Sequence, residues 1–141
     1  MLSSLGLLSS LGSLILLIFT LDYEIKKIEN LKCWQEARIF VNMIYKPVKR
    51  SYFNYDFRLK DQITGSAISI MNNIAEGFDS QSNNEFIRFL KIARRSISET
   101  ENCLYIALDQ KYISIDEFDK NFKQAEKVRQ LTDGMLRYLR K

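Results

Sequence analysis

Residues 82–93 of this 141-residue chain read Ser82-Asn83-Asn84-Glu85-Phe86-Ile87-Arg88-Phe89-Leu90-Lys91-Ile92-Ala93. Ser82 and Glu85 stand at the spacing of a capping box, the side-chain motif that opens many helices. Apolar residues then recur at helical spacing to about residue 109: Phe86, Phe89, Leu90, Ala93, Ile97, Leu104, Ala107 and Leu108. A sustained stripe of this period predicts a long amphipathic helix.

The sequence before this helix predicts two more. The first spans roughly residues 30–47, and Pro47, the only proline, favours an end nearby. The second spans roughly residues 57–77, and Gly77 suits a left-handed C-terminal cap. Residues 49–56 between them are predicted as a loop.

A fourth helix is predicted after a short connection. Ser114 and Glu117 have the spacing of a second capping box, and apolar residues continue from Phe118 to Leu139. Short links between helices of this length favour antiparallel neighbours. The predicted fold is therefore all-α, an up-down-up-down four-helix bundle over residues 23–141. One proline and five glycines leave little material for a turn-rich β fold.

Residues 1–22 form an apolar extension whose only charge is Asp22. The extension contains the direct repeat Leu2-Ser3-Ser4-Leu5-Gly6 and Leu8-Ser9-Ser10-Leu11-Gly12. Three interpretations stay open: a non-native extension from an upstream start codon, a single membrane anchor, and a helix that docks on the bundle. The repeat favours the first, and a membrane partner is not expected.

The residue inventory argues against catalysis. The chain has no histidine, so Ser-His and Cys-His nucleophiles and His-ligated metals are excluded. Cys33 and Cys103 lie far apart without a CxxC partner, and both fall in apolar helical patterns. They are predicted to be buried free thiols in a reducing compartment, the cytoplasm. No enzymatic activity, cofactor or metal site is expected.

The second predicted helix carries an unusual polar stripe. Residues 61–87 contain no Lys or Arg, and short polar side chains recur at 4-3-4-3 spacing: Gln62, Ser66, Ser69, Asn73 and Glu76. The stripe suits either a polar seam inside one bundle or the contact with another subunit of a symmetric oligomer. Glu76 is expected to be partly buried and to need hydrogen-bond donors.

Two basic stripes lie opposite the predicted core. The third helix carries Arg88, Lys91 and Arg95, flanked by Arg94, and the fourth carries Lys120, Lys123 and Lys127. Such stripes suit either an ordinary solvated face or a phosphate-binding surface. The region of residues 45–60 adds cations interleaved with Tyr45, Tyr52, Phe53, Tyr55 and Phe57. These aromatics suit base stacking, or a cover over the end of the core, which we favour.

Five runs of the sequence, in order along the chain, match the pattern of a known family: Leu31-Lys32-Cys33-Trp34-Gln35-Glu36-Ala37, Gln62-Ile63, Ala67-Ile68-Ser69-Ile70-Met71-Asn72-Asn73-Ile74-Ala75-Glu76-Gly77-Phe78, Glu85-Phe86-Ile87-Arg88-Phe89-Leu90-Lys91-Ile92-Ala93 and Ser96-Ile97-Ser98-Glu99. Through these runs the chain resembles the four-helix-bundle family encoded within intervening sequences of bacterial 23S rRNA genes. The resemblance covers about residues 28–140.

The resemblance implies a bacterial protein whose protomers assemble as a ring, typically a pentamer. A related branch of the family serves as a basic accessory subunit of diversity-generating reverse transcriptases and binds nucleic acid. The family pattern has no catalytic residues, and Asn73, Glu76, Ser96 and Glu99 look like an architectural polar set. Lys60 stands where the family usually has the Thr or Ser that opens the second helix, so the cap is expected to move to Asp56 or to be lost.

These observations predict a non-enzymatic, self-associating bundle that binds structured RNA through its basic faces. Arg88, Lys91, Arg94 and Arg95 are the strongest candidates for phosphate contacts. The main alternative is an oligomeric scaffold or accessory subunit for a nucleic-acid enzyme such as a polymerase. An N-terminally anchored membrane protein is a third, weaker alternative.

Overall fold

Five α-helices build residues 32–139 in a computed structural model that describes residues 27–141. A short 3-10 turn, Ile28–Asn30, precedes them, and no strand occurs among the described residues. The helices are α1 Lys32–Val48, α2 Ser51–Tyr55, α3 Phe57–Asp79, α4 Asn83–Asp109 and α5 Ile115–Leu139. The predicted extension 1–22, with its three interpretations, lies outside the described residues.

The four long helices pack in a closed cycle. Each packs against the next along the chain, and α5 returns to pack against α1. The side chains between them are fully buried aliphatic and aromatic groups, including Phe40, Ile44, Ile70, Leu90 and Leu104. The predicted antiparallel four-helix bundle is therefore confirmed, and Lys32–Lys141 forms one compact unit.

The predicted loop 49–56 was wrong in one respect, because it contains the one-turn helix α2. Phe53 lies in the middle of α2 and is buried in the core. Asp56 follows α2 and caps α3, since its Oδ1 accepts a hydrogen bond from the Leu59 amide at 3.1 Å. Of the two outcomes expected from Lys60 at the family's usual cap position, the cap has moved to Asp56 and is not lost.

The prediction that Gly77 is a left-handed cap was also wrong. Gly77 lies inside α3, and no described glycine has a positive φ. A Cβ at Gly77 would stand 2.6 Å from Phe86 Cδ2 and 3.0 Å from Phe89 Cβ. The glycine is needed for the close approach of α3 and α4, and the turn itself is made by Gln81, whose φ is 55°.

The two predicted capping boxes differ. At Ser114 both hydrogen bonds of the box are present, with Glu117 as the partner. At Ser82 the hydroxyl accepts from the Glu85 amide at 3.3 Å, but the Glu85 carboxylate binds the Arg88 guanidinium at 2.9 Å. An ion pair one turn into the helix has taken the carboxylate that would complete the box.

Cys33 and Cys103 are free and buried, as predicted. Burial raises the pKa of the Cys33 thiol to about 12, so it stays protonated and unreactive. Within residues 27–141, no helix has the length and apolar character needed to span a bilayer.

Candidate nucleic-acid interface

A surface cleft of about 390 Å³ lies between α4 and α5 and is lined almost entirely by cations. Its lining residues are Lys91, Arg94, Arg95, Ser98, Arg129, Leu136 and Arg140. We call this feature the basic cleft. Five positive side chains from two helices converge on it, and this concentration of charge attracts polyanions.

Two helices contribute to the basic cleft, and only one contribution was predicted. Lys91, Arg94 and Arg95 come from the α4 stripe. Arg129, near the middle of α5, and Arg140, directly after its last residue, were missed. The signal was present in the sequence, because Arg129, Asp133, Leu136 and Arg140 follow 4-3-4 spacing and so share one side of a helix.

Two of the five cations are held by acidic partners across the cleft. Arg94 Nε lies 2.7 Å from Asp133 Oδ1. Arg129 pairs with Glu101 and also lies 3.4 Å from Ser98 Oγ. These pairs join α4 to α5 and fix the direction of both guanidinium groups, which retain further N–H donors.

The other three cations are available to a ligand. Lys91, Arg95 and Arg140 are exposed, and none of them has an ion-pair partner within residues 27–141. The basic cleft therefore combines two oriented guanidiniums with three uncompensated charges, and it keeps a net positive field.

Arg88 lies apart from the basic cleft, although it belongs to the same predicted stripe. Its guanidinium binds the Glu85 carboxylate and lies 4.3 Å from the centroid of the Phe89 ring. The hydrogen bond from Arg88 lowers the pKa of Glu85, and Glu76 adds a second negative charge near the guanidinium. Arg88 is therefore the most compensated of the four predicted α4 cations.

The α5 stripe lies on a different side of the bundle. Lys127 Nζ is 3.1 Å from Glu36 Oε1 of α1, so this stripe borders the α1–α5 groove. Gln124 Nε2 donates to Glu36 Oε2 at 2.8 Å, and this bond, followed by Lys127, lowers the pKa of the Glu36 carboxyl. Lys120 and Lys123 are exposed on the same face. The two predicted basic stripes are thus not one surface.

The polar stripe of α3 meets α4 inside the protomer. Ser96 Oγ donates to Ser69 Oγ at 2.9 Å, and Asn73 Nδ2 donates to the same oxygen at 3.0 Å. Thr100 Oγ1 donates to Ser66 Oγ at 2.8 Å. We call this set the hydroxyl seam. Thr100 was missed, and its spacing of four residues from Ser96 was the available signal.

Three members of the predicted polar set lie outside the hydroxyl seam. Glu76 is exposed, so the expectation of a partly buried carboxylate was wrong: it lies at the outer edge of the α3 stripe. Gln62 and Glu99 are also exposed. They line a second cleft of about 450 Å³ between α3 and α4, together with Asp56, Arg58, Leu59, Asn102, Cys103 and Ile106.

Fold and cleft together define a four-helix-bundle protein with a cationic groove between its last two helices. The sequence model of the 23S rRNA-intervening sequence protein family matches residues 29–134, and the chain belongs to that family. The resemblance found in the sequence is thereby confirmed at the level of the family.

A solved structure supports the same assignment. The chain is 25% identical, with a TM-score of 0.64, to a Bacteroides thetaiotaomicron protein of unknown function from the S23 ribosomal protein family. The match covers 78% of this chain and 98% of that one. Among curated proteins no significant match is found.

Proposed function

We propose that the protein is a non-enzymatic, self-assembling bundle that binds structured RNA through the basic cleft. The observation that carries the proposal is the convergence of five cations on the α4–α5 groove, three of them without a carboxylate partner in the described part of the chain. A groove of this kind fits the regularly spaced phosphates of a nucleic-acid backbone.

The chemistry of the cleft suits phosphate binding and not base recognition. Arg94 and Arg129 are already oriented by Asp133 and Glu101, so a phosphate meets donors that need little reordering. Lys91, Arg95 and Arg140 supply the charge that releases counterions from the backbone. Binding is therefore mainly electrostatic and weakly dependent on base sequence.

The family assignment supports RNA as the polyanion. The family is described by its link to intervening sequences of 23S rRNA, so ribosomal RNA fragments are the first ligands to try. Assembly into a ring, for which we propose five subunits, would repeat the basic cleft around the axis and raise avidity. The buried free thiols fit a bacterial cytoplasm.

A second candidate function is an oligomeric scaffold or an accessory subunit for a nucleic-acid enzyme such as a reverse transcriptase. Exposed aliphatic side chains on three helices favour it: Ile39 on α1, Ile68 on α3 and Ile106 on α4. Exposed apolar groups of this size suit protein contacts. Sedimentation of the full chain, alone and with a polymerase, tests this alternative.

Charge reversal in the basic cleft tests the main proposal. Lys91→Glu combined with Arg95→Glu removes two free cations and adds two carboxylates, so affinity for RNA should fall at least tenfold. The matched control is Lys120→Glu with Lys123→Glu, an equal charge change on the other face of α5. Equal losses in both variants would show that the cleft is not the site.

A further inference from the structure

Three aromatic side chains at the α2 end of the bundle face solvent. Tyr52 is 83% exposed, Tyr55 is 73% exposed and Phe57 is 63% exposed. We call these residues the aromatic platform. The expectation that the aromatics of this region cover the core holds for Phe53, which is 1% exposed, but not for these three.

Contacts with the core anchor the backbone that carries the aromatic platform. The Phe53 ring stacks on the Tyr112 ring with centroids 5.0 Å apart. The Tyr112 hydroxyl donates to Asp56 Oδ2 at 3.0 Å, and Asp56 also caps α3. One buried ring, one hydroxyl and one cap thus anchor the middle and the C-terminal end of α2 to its neighbours.

A second anchor lies on the α5 side. Arg50 binds both carboxylate oxygens of Glu117 in a bidentate contact. This contact lowers the pKa of Glu117 to about 2, so the pair is charged at neutral pH. Because α2 is anchored on both sides, the backbone that carries the exposed rings needs little reordering when they bind.

The surroundings of the aromatic platform are positive. Residues 46–61 contain five Lys or Arg and two Asp. Lys46 and Lys49 are exposed and have no ion-pair partner within residues 27–141. Lys60 Nζ lies 5.6 Å from the centroid of the Phe57 ring. Exposed ring faces with uncompensated cations close by in the chain match a ligand that carries both aromatic rings and phosphates.

We propose that the aromatic platform stacks on unpaired bases of single-stranded RNA, while Lys46 and Lys49 contact the adjoining phosphates. The inference rests on the proposed function and narrows it to RNA with an unpaired segment. Single-stranded bases expose the ring faces that stack on Tyr and Phe, whereas paired bases in a helix hide them.

The position of the aromatic platform lets one RNA reach both sites. Glu117 marks the platform end of α5, and Arg129 lies in the basic cleft about 18 Å further along the helix axis. A structured RNA with its duplex in the basic cleft and an unpaired loop or end at the platform would engage both sites.

The test compares the full chain with two double variants. Tyr52→Ala with Tyr55→Ala removes both rings, and Tyr52→Phe with Tyr55→Phe keeps the ring faces. Affinity is measured for a single-stranded oligouridine, for a blunt RNA duplex and for inorganic polyphosphate, which has no bases. The affinity of the alanine variant for oligouridine should fall about tenfold or more, because the rings that stack on the bases are gone. Its affinity for polyphosphate should not change. The phenylalanine variant should bind like the wild type.

Each other outcome has a definite meaning. If the alanine variant binds oligouridine as the wild type does, the stacking proposal is overturned and RNA binding by the basic cleft stands. If the wild type binds oligouridine through the rings but binds neither the RNA duplex nor polyphosphate, the stacking proposal stands and RNA binding by the basic cleft is overturned. If the wild type binds no RNA, both are overturned. If the alanine variant instead dissociates in sedimentation, the platform is a subunit contact and the stacking proposal is overturned.

Discussion

The two sides of α4 make opposite kinds of contact with their neighbours. Toward α3, Ser96 and Thr100 reach only as far as the hydroxyls of Ser69 and Ser66, and these two helices have the most extensive packing of any pair in the bundle. Toward α5, Arg94 and Glu101 pair with long or charged partners and leave the basic cleft open between the helices.

The difference teaches that side-chain length decides where the groove between two helices closes. Short hydroxyl groups satisfy one another at van der Waals separation, so the hydroxyl seam excludes a ligand. Guanidinium pairs span a larger gap and keep their outer N–H groups in solvent. The hydroxyl seam therefore closes its part of the α3–α4 groove and stabilises the fold, whereas the second cleft lies in the same groove nearer α2. The α4–α5 groove stays open as the basic cleft and is available for binding.

The largest expected effect on stability comes from adding a methyl group where α3 and α4 approach each other closely. Gly77→Ala places a methyl group 2.6 Å from Phe86 Cδ2 and 3.3 Å from the Phe86 backbone, so the free energy of unfolding should fall by about 1–3 kcal/mol. Denaturant titration measures it.

The matched control for Gly77 is a second glycine of α3. A methyl group at Gly65 meets no atom within 4 Å, so Gly65→Ala should raise the free energy of unfolding by roughly 0.5–1 kcal/mol. Equal effects of the two substitutions would mean that helix propensity, and not the close approach, decides both.

A smaller loss is expected from the hydroxyl seam. Thr100→Val keeps the shape of a fully buried side chain but removes the bond to Ser66, so the protein should lose about 1 kcal/mol of stability. The loss stays modest because Ser66 Oγ also lies 3.1 Å from the Ile63 carbonyl oxygen and keeps that acceptor. Ser98→Ala, at an exposed position of α4, should change stability by less than about 0.5 kcal/mol.

A still smaller effect is expected from the ion pair beside α2, and it should depend on pH. The pKa of Glu117 is lowered from 4.5 to about 2 by Arg50, so its carboxylate favours the folded state above the unfolded value. That contribution should be lost as the pH falls from about 4.5 toward 2. Glu117→Gln should therefore cost less than about 1 kcal/mol at pH 7 and still less at pH 3.

Thr100→Val provides the contrast for this pH series. The hydroxyl seam has no titratable group, so the effect of Thr100→Val should be the same at pH 7 and at pH 3. A cost of Glu117→Gln that stays constant with pH would contradict the assigned role of the ion pair.

The smallest change in stability is expected inside the basic cleft. Asp133→Asn removes the carboxylate opposite Arg94, and the partly exposed pair should cost only about 0.5 kcal/mol of stability. RNA affinity should rise about two- to fivefold because the field of the cleft becomes more positive. A fall in RNA affinity would mean that Asp133 orients Arg94 for binding more than it neutralises it.

The sequence predicts the helices of this fold better than it predicts which residues of different helices meet. Apolar period and capping residues placed all four long helices, because both signals are local. Gly77 was misread because the need for a glycine comes from Phe86 on another helix, which no local pattern reveals. The helix α2 was missed because its single turn depends on burial of Phe53.

Only the α4 side of the basic cleft was predicted from the sequence. The α4 cations Lys91, Arg94 and Arg95 were found from their spacing, and the structure brings them together. Arg129 and Arg140 were missed because their stripe also contains Asp133 and Leu136, which makes it look like an ordinary helix face. Arg88 and Lys127 were also singled out, but each is neutralised by a carboxylate. The partner of Arg88 is Glu85, three residues earlier on α4, whereas the partner of Lys127 is Glu36, which only the fold brings near.

The most direct test of the account is the salt dependence of RNA binding. For the wild-type full chain, the logarithm of affinity for an RNA duplex should fall linearly with the logarithm of salt concentration, because each cleft cation releases counterions. Lys91→Glu with Arg95→Glu should reduce that slope by about two. Phosphate binding by the basic cleft would be contradicted if the affinity of the wild type did not change with salt concentration. It would also be contradicted if the double variant had the same slope of log affinity against log salt as the wild type.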